Sequence, residues 1–441
     1  MSELLSPAGT LKSMRYAFAY GADAVYAGQP RYSLRVRNNE FNKLENLALA
    51  VEEAHSQGKK FYLASNLSPH NDKVRTYIRD LEPVIAMKPD ALIMADPGLI
   101  MMVRETWPDQ PVHLSVQANA VNYATVKFWA KQGIERVILS RELSIEEIEE
   151  IRNECPDTEL EVFVHGALCI AYSGRCLLSG YMTHRDSNQG ACTNSCRWEY
   201  NAHPAKETET GDLIAVESAQ PKTWNPEIND EIQPVLLQEK SRPGEYMPAY
   251  EDEHGTYIMN SKDLRAVQHV ERLVNMGIHS LKIEGRTKSH YYVARTAQVY
   301  RRAIDAAKAG QPFDMNLMRE LDHLANRGYT EGFYRRHVPS EYQNYEKGVS
   351  DNSNQQFVAE AIAYDAANGW LTLDVKNRFE LNDQLELITP KGNHVFRLGA
   401  LESTKGESLE AAPGSGHVVR IPAPDFPLSE DGGYALLMRY L

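Results

Sequence analysis

The chain has no long apolar run. Its longest stretches are short, such as Ala91-Leu92-Ile93-Met94-Ala95, while a membrane helix needs roughly 18 or more apolar residues. The sequence therefore predicts no bilayer span. The N-terminus, from Met1 to Pro7, has no basic segment leading into an apolar one, so no secretory signal is expected and the reading is cytoplasmic. Positive charge is also short. The formal net charge is −13, which excludes a generally basic nucleic-acid coat but leaves room for a local basic patch. Several catalytic signatures are missing. No Gly-x-Gly-x-x-Gly follows the first strand, and there is no P-loop, no His-Glu-x-x-His and no Gly-x-Ser-x-Gly elbow. A dinucleotide fold is thereby weakened, and a zincin or an α/β-hydrolase is not expected.

Apolar residues make up 42% and charged residues 24% of the 441 positions, ordinary values for a folded globular chain. The first 170 residues repeat a pattern of short apolar strand, loop and amphipathic helix. Strands are expected at Glu3–Gly9, Ala24–Gly28, Lys60–Asn66, Asp90–Asp96, Val112–Asn119, Arg136–Arg141 and Leu160–His165. Helices are expected between most of them, for example Lys12–Tyr20 and Ser144–Glu154, the latter opening on a Ser-x-x-Glu capping box. An eighth strand is expected at Ser280–Gly285, preceded by a helix from Asp263 to Met276 that Gly277 ends. Alternation at this spacing implies βαβ units, and eight of them fit a TIM-type (β/α)8 barrel. An open doubly wound sheet is the alternative.

In such a barrel the active site lies at the C-terminal ends of the strands. Polar groups collect there: Ser6, Asn66, Asp96, Gln117, Asn119, Arg141, Glu142, His165, Glu284 and Arg286. Any one of them could merely cap a helix, but their recurrence favours a pocket. The barrel unit is read as 1–345. Residues 201–252 interrupt it with 11 acidic residues, 4 basic residues and six prolines, so they read as an acidic insertion or extended loop poor in core formers. After a polar linker at 351–356, the character changes. Strands are expected at Phe357–Tyr364, Leu371–Val375, Gln384–Thr389 and His417–Ile421, a small C-terminal antiparallel β-barrel domain over 353–441.

The five cysteines stand at 155, 169, 176, 192 and 196. Four lie within one short segment, where chance placement would put about 0.3. In a reducing compartment such clustering points to metal ligation or redox chemistry rather than disulfides. The Cys-x6-Cys-x15-Cys-x3-Cys spacing can hold a [4Fe–4S] cluster. Tetrahedral zinc takes the same four ligands, though only the 192/196 pair has the close spacing usual for zinc. Thiols with no metal remain the third reading. A Cys/His nucleophile pair could be drawn from His165 and Cys169, but a metal-bound thiolate is not free to attack a peptide.

The run from Glu161 to Ser179, through Cys169 and Cys176, resembles the signature of the collagenase-like peptidase family, the peptidases of unknown catalytic type. Similarity extends over Glu3–Thr10, Gly21–Asn38, Val112–Asn122, His254–Leu264 and Leu281–Ser289, nearly the whole chain. Within the family the sequence most resembles the branch of prephenate-dependent tRNA uridine hydroxylases; other branches hydroxylate a ribosomal RNA cytidine or ubiquinone precursors. The resemblance implies a [4Fe–4S] cluster on Cys169, Cys176, Cys192 and Cys196, with Cys155 outside the motif. It implies prephenate as hydroxyl donor, the tRNA anticodon loop as partner, 5-hydroxyuridine as product, and the iron–sulfur assembly machinery as a further partner. A protease, as the family name suggests, and a zinc-stabilised RNA-binding protein are the alternatives.

Prephenate carries two carboxylates, so its site should present arginine or lysine at strand ends. Arg35, Arg37, Arg141, Arg175, Arg286 and Lys288 are candidates, with Arg141 and Arg286 favoured because they follow strands six and eight. The expected catalytic set is His165, Arg141, Glu284 and Arg286. For RNA, basic residues from Arg286 to Arg302 and from Arg327 to His337 interleave with Tyr291, Tyr292, Tyr329, Phe333 and Tyr334, the phosphate-plus-stacking formula for single strands. The C-terminal domain is expected to position RNA.

Overall fold

The computed structural model describes residues 2–34, 39–168, 171–176, 178–179, 193, 195, 263–324, 328–335, 355–424, 428–429 and 432–441. Between 200 and 256 it describes the backbone of six strands.

Seven parallel strands follow one another from the N-terminus: β1 (Glu3–Pro7), β2 (Ala24–Gly28), β3 (Lys60–Ser65), β4 (Ala91–Met94), β5 (Val112–Leu114), β6 (Arg136–Ile138) and β7 (Glu159–Ala167). Six backbone strands come next: β8 (Tyr200–Glu207), β9 (Leu213–Ala215), β10 (Val235–Glu239), β11 (Tyr246–Ala249), β12 (Glu251–Asp252) and β13 (Gly255–Thr256). Then come β14 (Asp263–Arg265), β15 (Ser280–Ile283) and β16 (Tyr329–Thr330). β15 pairs in parallel with both β1 and β7. The eight-stranded parallel sheet is thus a closed TIM-type barrel, not an open sheet.

Local chemistry accounts for the alternation. Thr10 caps the helix Leu11–Ala19 by accepting from Ser13 N. Ser144 and Glu147 form the complete capping box of the helix Ile145–Glu154. The helix Val270–Asn275 ends at Gly277, whose φ of +83° a side chain would strain.

The structure corrects the sequence reading in three places. The fifth strand stops at Leu114. Val116–Ala118 forms a 3-10 turn, and Asn119 takes a left-handed φ of 52°, a conformation that asparagine tolerates. Asp263–Arg265 does not begin a helix. It is strand β14, antiparallel to β7 at 165–167 and parallel to β16. These tertiary hydrogen bonds outweigh the local helical pattern. The acidic stretch 201–252 contains ordered backbone: β8–β11 form one antiparallel sheet in the order β11-β10-β8-β9.

The C-terminal domain is antiparallel. Its strands are β17 (Gln355–Asp365), β18 (Trp370–Val375), β19 (Phe379–Glu380), β20 (Gln384–Thr389), β21 (Gly392–Arg397), β22 (Glu402–Ser403), β23 (Ala411–Ala412), β24 (Val418–Pro422) and β25 (Leu436–Tyr440). Seven of them make one sheet, β21-β20-β25-β17-β18-β24-β22, while β19 and β23 pair separately. Leu371, Leu373, Leu385, Leu387, Ile421 and Leu437 give this domain its own core.

Ile388, Leu436 and Met438 instead join the core of the barrel. The joint is also polar. Arg295, fully buried on the helix His290–Lys308, pairs with Glu386 at 2.8 Å. Tyr20 donates to the carbonyls of Ile388 and Tyr434, and Gln298 donates to Thr389 O.

Candidate active site

Side chains alternate across a strand, and the barrel interior shows which ones point inward. Its floor is ionic. Arg136 donates to Glu3 at 2.7 Å and to Glu161 at 3.3 Å, and it pairs with Glu159. Lys282 donates to Glu161 at 2.7 Å. Tyr62 donates to Glu3 and stacks edge-on against His113. Burial drives the His113 imidazole well below its ordinary pKa, so it is neutral. Above this floor lie two rings. The Lys282 ammonium sits 4.4 Å from the Tyr26 ring and 5.5 Å from that of Phe163. None of these interior charges was singled out from the sequence. The available signal was a charged residue at an inward-facing position of an otherwise apolar strand, as at Glu161 and Lys282.

On the far side of the rings is the mouth. The Arg141 guanidinium lies 3.8 Å from the Phe163 ring, and that of Arg286 lies 5.6 Å from the Tyr26 ring. Arg141 donates to Glu284 Oε2 at 3.3 Å and to the carbonyl of Ala167 at 3.0 Å. Its buried Nε has no acceptor among the described residues. Arg286 donates to Ser33 Oγ at 2.8 Å, next to Gly28, where a Cβ would come within 3.0 Å of the guanidinium. Three of the four expected catalytic residues, Arg141, Glu284 and Arg286, are therefore together. The mouth holds two guanidiniums, one carboxylate and two aromatic faces, an arrangement suited to a carboxylate ligand.

His165 is not with them. The pairing of β7 with β15 shifts by one residue between Phe163 and His165, and a bulge of this kind re-aims the side chains beyond it. His165 faces outward, 1% exposed, among the rings of Tyr292, Tyr300 and Tyr329. Burial lowers its pKa to about 3, so it is neutral. Asp96 accepts from Leu99 N and caps the helix Pro97–Thr106. Asn66 accepts a long bond from Leu34 N. Glu142 accepts from Ser140.

The basic and aromatic groups read as an RNA face are largely committed elsewhere. Tyr291, Tyr292 and Tyr334 are buried. Arg301 pairs with Asp23 and Asp305, Arg302 with Glu320, and Arg335 with Glu331. Each of these cations is held in an ion pair within the protein. Arg327, Arg336 and His337 lie outside the described residues, as do Arg35 and Arg37.

The cysteine segment leaves β7 at this same mouth, two residues past the carbonyl that Arg141 holds. Cys176 is half-buried, while Cys169, Cys192 and Cys196 lie outside the described residues. The segment packs on the turn after β5. Asn119 donates to Ser173 O, Arg175 donates to Asn119, and Gly174 abuts Gln117. Ser179 Oγ accepts from Thr193 N at 3.0 Å, and the hydroxyls of Thr193 and Ser195 are 2.7 Å apart. These bonds draw the neighbours of Cys192 and Cys196 toward the chain just past Cys176. Cys176 is the one expected ligand among the described residues, and four thiolates are the donor set that a [4Fe–4S] cluster or a tetrahedral metal takes. Cys155 is elsewhere, buried beyond the helix Ile145–Glu154, with its thiol on Tyr123 O.

Two sequence profiles match the chain: Peptidase family U32 over residues 9–344, and the Peptidase family U32 C-terminal domain over 353–439. "tRNA hydroxylation protein P" of Escherichia coli K12 is 63% identical over 444 residues, covering 99% of this chain and 96% of that protein. The protein of the same name from Haemophilus influenzae is 60% identical, covering 100% and 96%. The "23S rRNA 5-hydroxycytidine C2501 synthase" of Escherichia coli K12 is 30% identical, covering 79% of this chain and 44% of that protein. With profiles matched on both the barrel and the C-terminal sheet, and relatives similar along the full length, the chain belongs to peptidase family U32.

Proposed function

We propose that this protein hydroxylates tRNA at C5 of the wobble uridine, taking the hydroxyl group from prephenate bound at the barrel mouth. The observation that carries the reading is the pair Arg141 and Arg286, set on the Phe163 and Tyr26 rings at the ends of β6 and β15. Its support on the RNA side comes from relatives of 63% and 60% identity named for tRNA hydroxylation.

In this reading the two guanidiniums take the two carboxylates of the donor. Glu284 fixes the plane of Arg141 through Nη2 and leaves Nε for the ligand. The Phe163 and Tyr26 rings that carry the guanidiniums lower the local dielectric, which strengthens charged hydrogen bonds. Cys169, Cys176, Cys192 and Cys196 would hold a [4Fe–4S] cluster, which would supply redox or Lewis-acid chemistry. An anticodon-loop uridine is already unpaired, so presenting it requires only modest unstacking. Peptide hydrolysis is less well supported. It needs a nucleophile beside an accessible base, whereas His165 is buried and neutral behind β7.

Nucleoside mass spectrometry of tRNA from cells lacking the protein tests the reading. The expected result is loss of wobble 5-hydroxyuridine and its derivatives, restored by the wild-type gene but poorly by Arg141→Gln or Arg286→Gln. Losing a desolvated charged pair typically costs about 2–5 kcal/mol. An unchanged nucleoside profile overturns the assignment, and full activity of both variants at limiting prephenate moves the donor site elsewhere.

A further inference from the structure

We infer that Glu360, on the C-terminal sheet, is a positioning residue for the arginine-bearing mouth of the barrel. It lies in β17, and its carboxylate is 7% exposed. Two ammonium groups and an imidazole from separate segments converge on it: Lys12 Nζ, Lys376 Nζ at 3.1 Å and His290 Nε2 at 3.0 Å. Lys12 and His290 are not scattered surface groups. Each lies in the first turn of a helix that directly follows a barrel strand, Leu11–Ala19 after β1 and His290–Lys308 after β15.

The second of these junctions carries the candidate site. Glu284, Arg286 and Lys288 occupy the short loop between β15 and the helix. That loop is fixed at one end by the pairing of β15 with β1 and β7. At its other end Ser289 caps the helix, and His290 meets Glu360. The next residue, Tyr291, stacks on Phe357 with centroids 5.3 Å apart and rings 3° from parallel. β17 is built to aim Glu360 at this junction. Its pairing is irregular on both sides of the residue, between Phe357 and Ala359 against β25 and between Ala361 and Ala363 against β18, and bulges re-aim side chains.

Docking alone would be served as well by an apolar contact, since a buried ion pair is weak evidence of added stability. A shared carboxylate instead sets register, because only one relative placement of the two helix starts satisfies it. The C-terminal domain thereby acts on the mouth without reaching it, fixing where Arg286 stands.

The functional half of this inference rests on the reading of Arg286 as a ligand of the donor carboxylate, so the test has two arms. Hydrogen–deuterium exchange of the full-length protein reports the tie itself. Glu360→Gln should accelerate exchange of residues 284–292 about five-fold or more, with the strands β2–β5 unchanged. His290→Gln, which leaves Glu360 with Lys12 and Lys376, should reproduce the effect, and Glu360→Asp should recover part of it. Unchanged exchange in both glutamine variants overturns the tie. Calorimetric titration with prephenate reports the consequence. The glutamine variants should bind it about five-fold more weakly than wild type, with tRNA affinity unaltered. Wild-type prephenate affinity in variants whose loop exchanges faster overturns the positioning role. Absence of prephenate binding by the wild-type protein overturns the donor reading, while the exchange arm still decides whether Glu360 holds the loop.

Discussion

Glu161 offers the sharpest test of the ionic barrel floor. Its carboxylate is fully buried, accepts from Lys282 at 2.7 Å and meets Arg136 at 3.3 Å. The two cations are not equally dependent on it. Arg136 keeps Glu3 and Glu159 when Glu161 is neutralised. Lys282 keeps no carboxylate as hydrogen-bond acceptor among the described residues, only the neutral amide oxygen of the new glutamine and the faces of Tyr26 and Phe163. Glu161→Gln should therefore be costly, with an uncompensated buried charge penalised by about 3–5 kcal/mol. A ceiling applies, because Lys282 can shed its proton. From an ordinary lysine value of 10.5, deprotonation at pH 7 costs at most about 4.8 kcal/mol at 1.36 kcal/mol per pH unit. Burial already lowers the Lys282 pKa, and Glu161 opposes that shift; removing Glu161 lowers it further. A depressed basic group binds fewer protons folded than unfolded, so the lost stability returns as pH rises toward 10.5. Lys282→Met leaves Glu161 paired with Arg136 and should cost less, about 1–3 kcal/mol. Urea midpoints followed by near-UV circular dichroism at pH 7 and pH 9.5 provide the assay. A Glu161→Gln deficit that is absent at pH 7, smaller than that of Lys282→Met, or undiminished at pH 9.5 would refute the reasoning.

Three further outcomes follow from other parts of the molecule. Alanine at Cys169, Cys176, Cys192 or Cys196 should each abolish iron and sulfide binding in anaerobic preparations while Cys155→Ala retains it; iron lost only from the Cys155 variant would sink the ligand set. His165, with a folded pKa of about 3 against an ordinary 6.5, gives full stability above pH 6.5 and loses it as pH falls toward 3, at up to about 1.4 kcal/mol per unit. His165→Gln should flatten that acid limb, and an identical acid profile would show that the imidazole is not held neutral. Removing residues 353–441 strips Glu386 from the fully buried Arg295 and takes Ile388, Leu436 and Met438 from the barrel core, so the remainder should aggregate; a soluble fragment with native circular dichroism would contradict this coupling.

Much of the scaffold is legible in the chain because it rests on local rules. Short apolar strands broken by Pro or Gly, the Ser144–Glu147 capping box and the Gly277 stop need only neighbouring residues to act, and β1 to β4 and β15 lie where the pattern puts them. The cysteine spacing was equally readable, because four clustered thiols are a compositional fact. Arg141, Glu284 and Arg286 were found by a rule of position, the ends of barrel strands. The rest depended on contacts between distant segments. Asp263–Arg265 carries a helical pattern, yet becomes a strand because β7 and β16 offer it hydrogen bonds. His165 looked like a mouth residue until a one-residue bulge, set by the pairing of β7 with β15, turned it outward. The pairings of Glu161 with Lys282 across 121 positions and of Arg295 with Glu386 across 91 exist only once the barrel has closed and the sheet has docked. The sequence by itself determined the βα repeat, the clustered thiols and the arginines at strand ends. Which charges face one another, and which histidine is buried away from the mouth, was decided by tertiary pairing, because Coulomb energy and desolvation depend on distances and burial that no local pattern encodes.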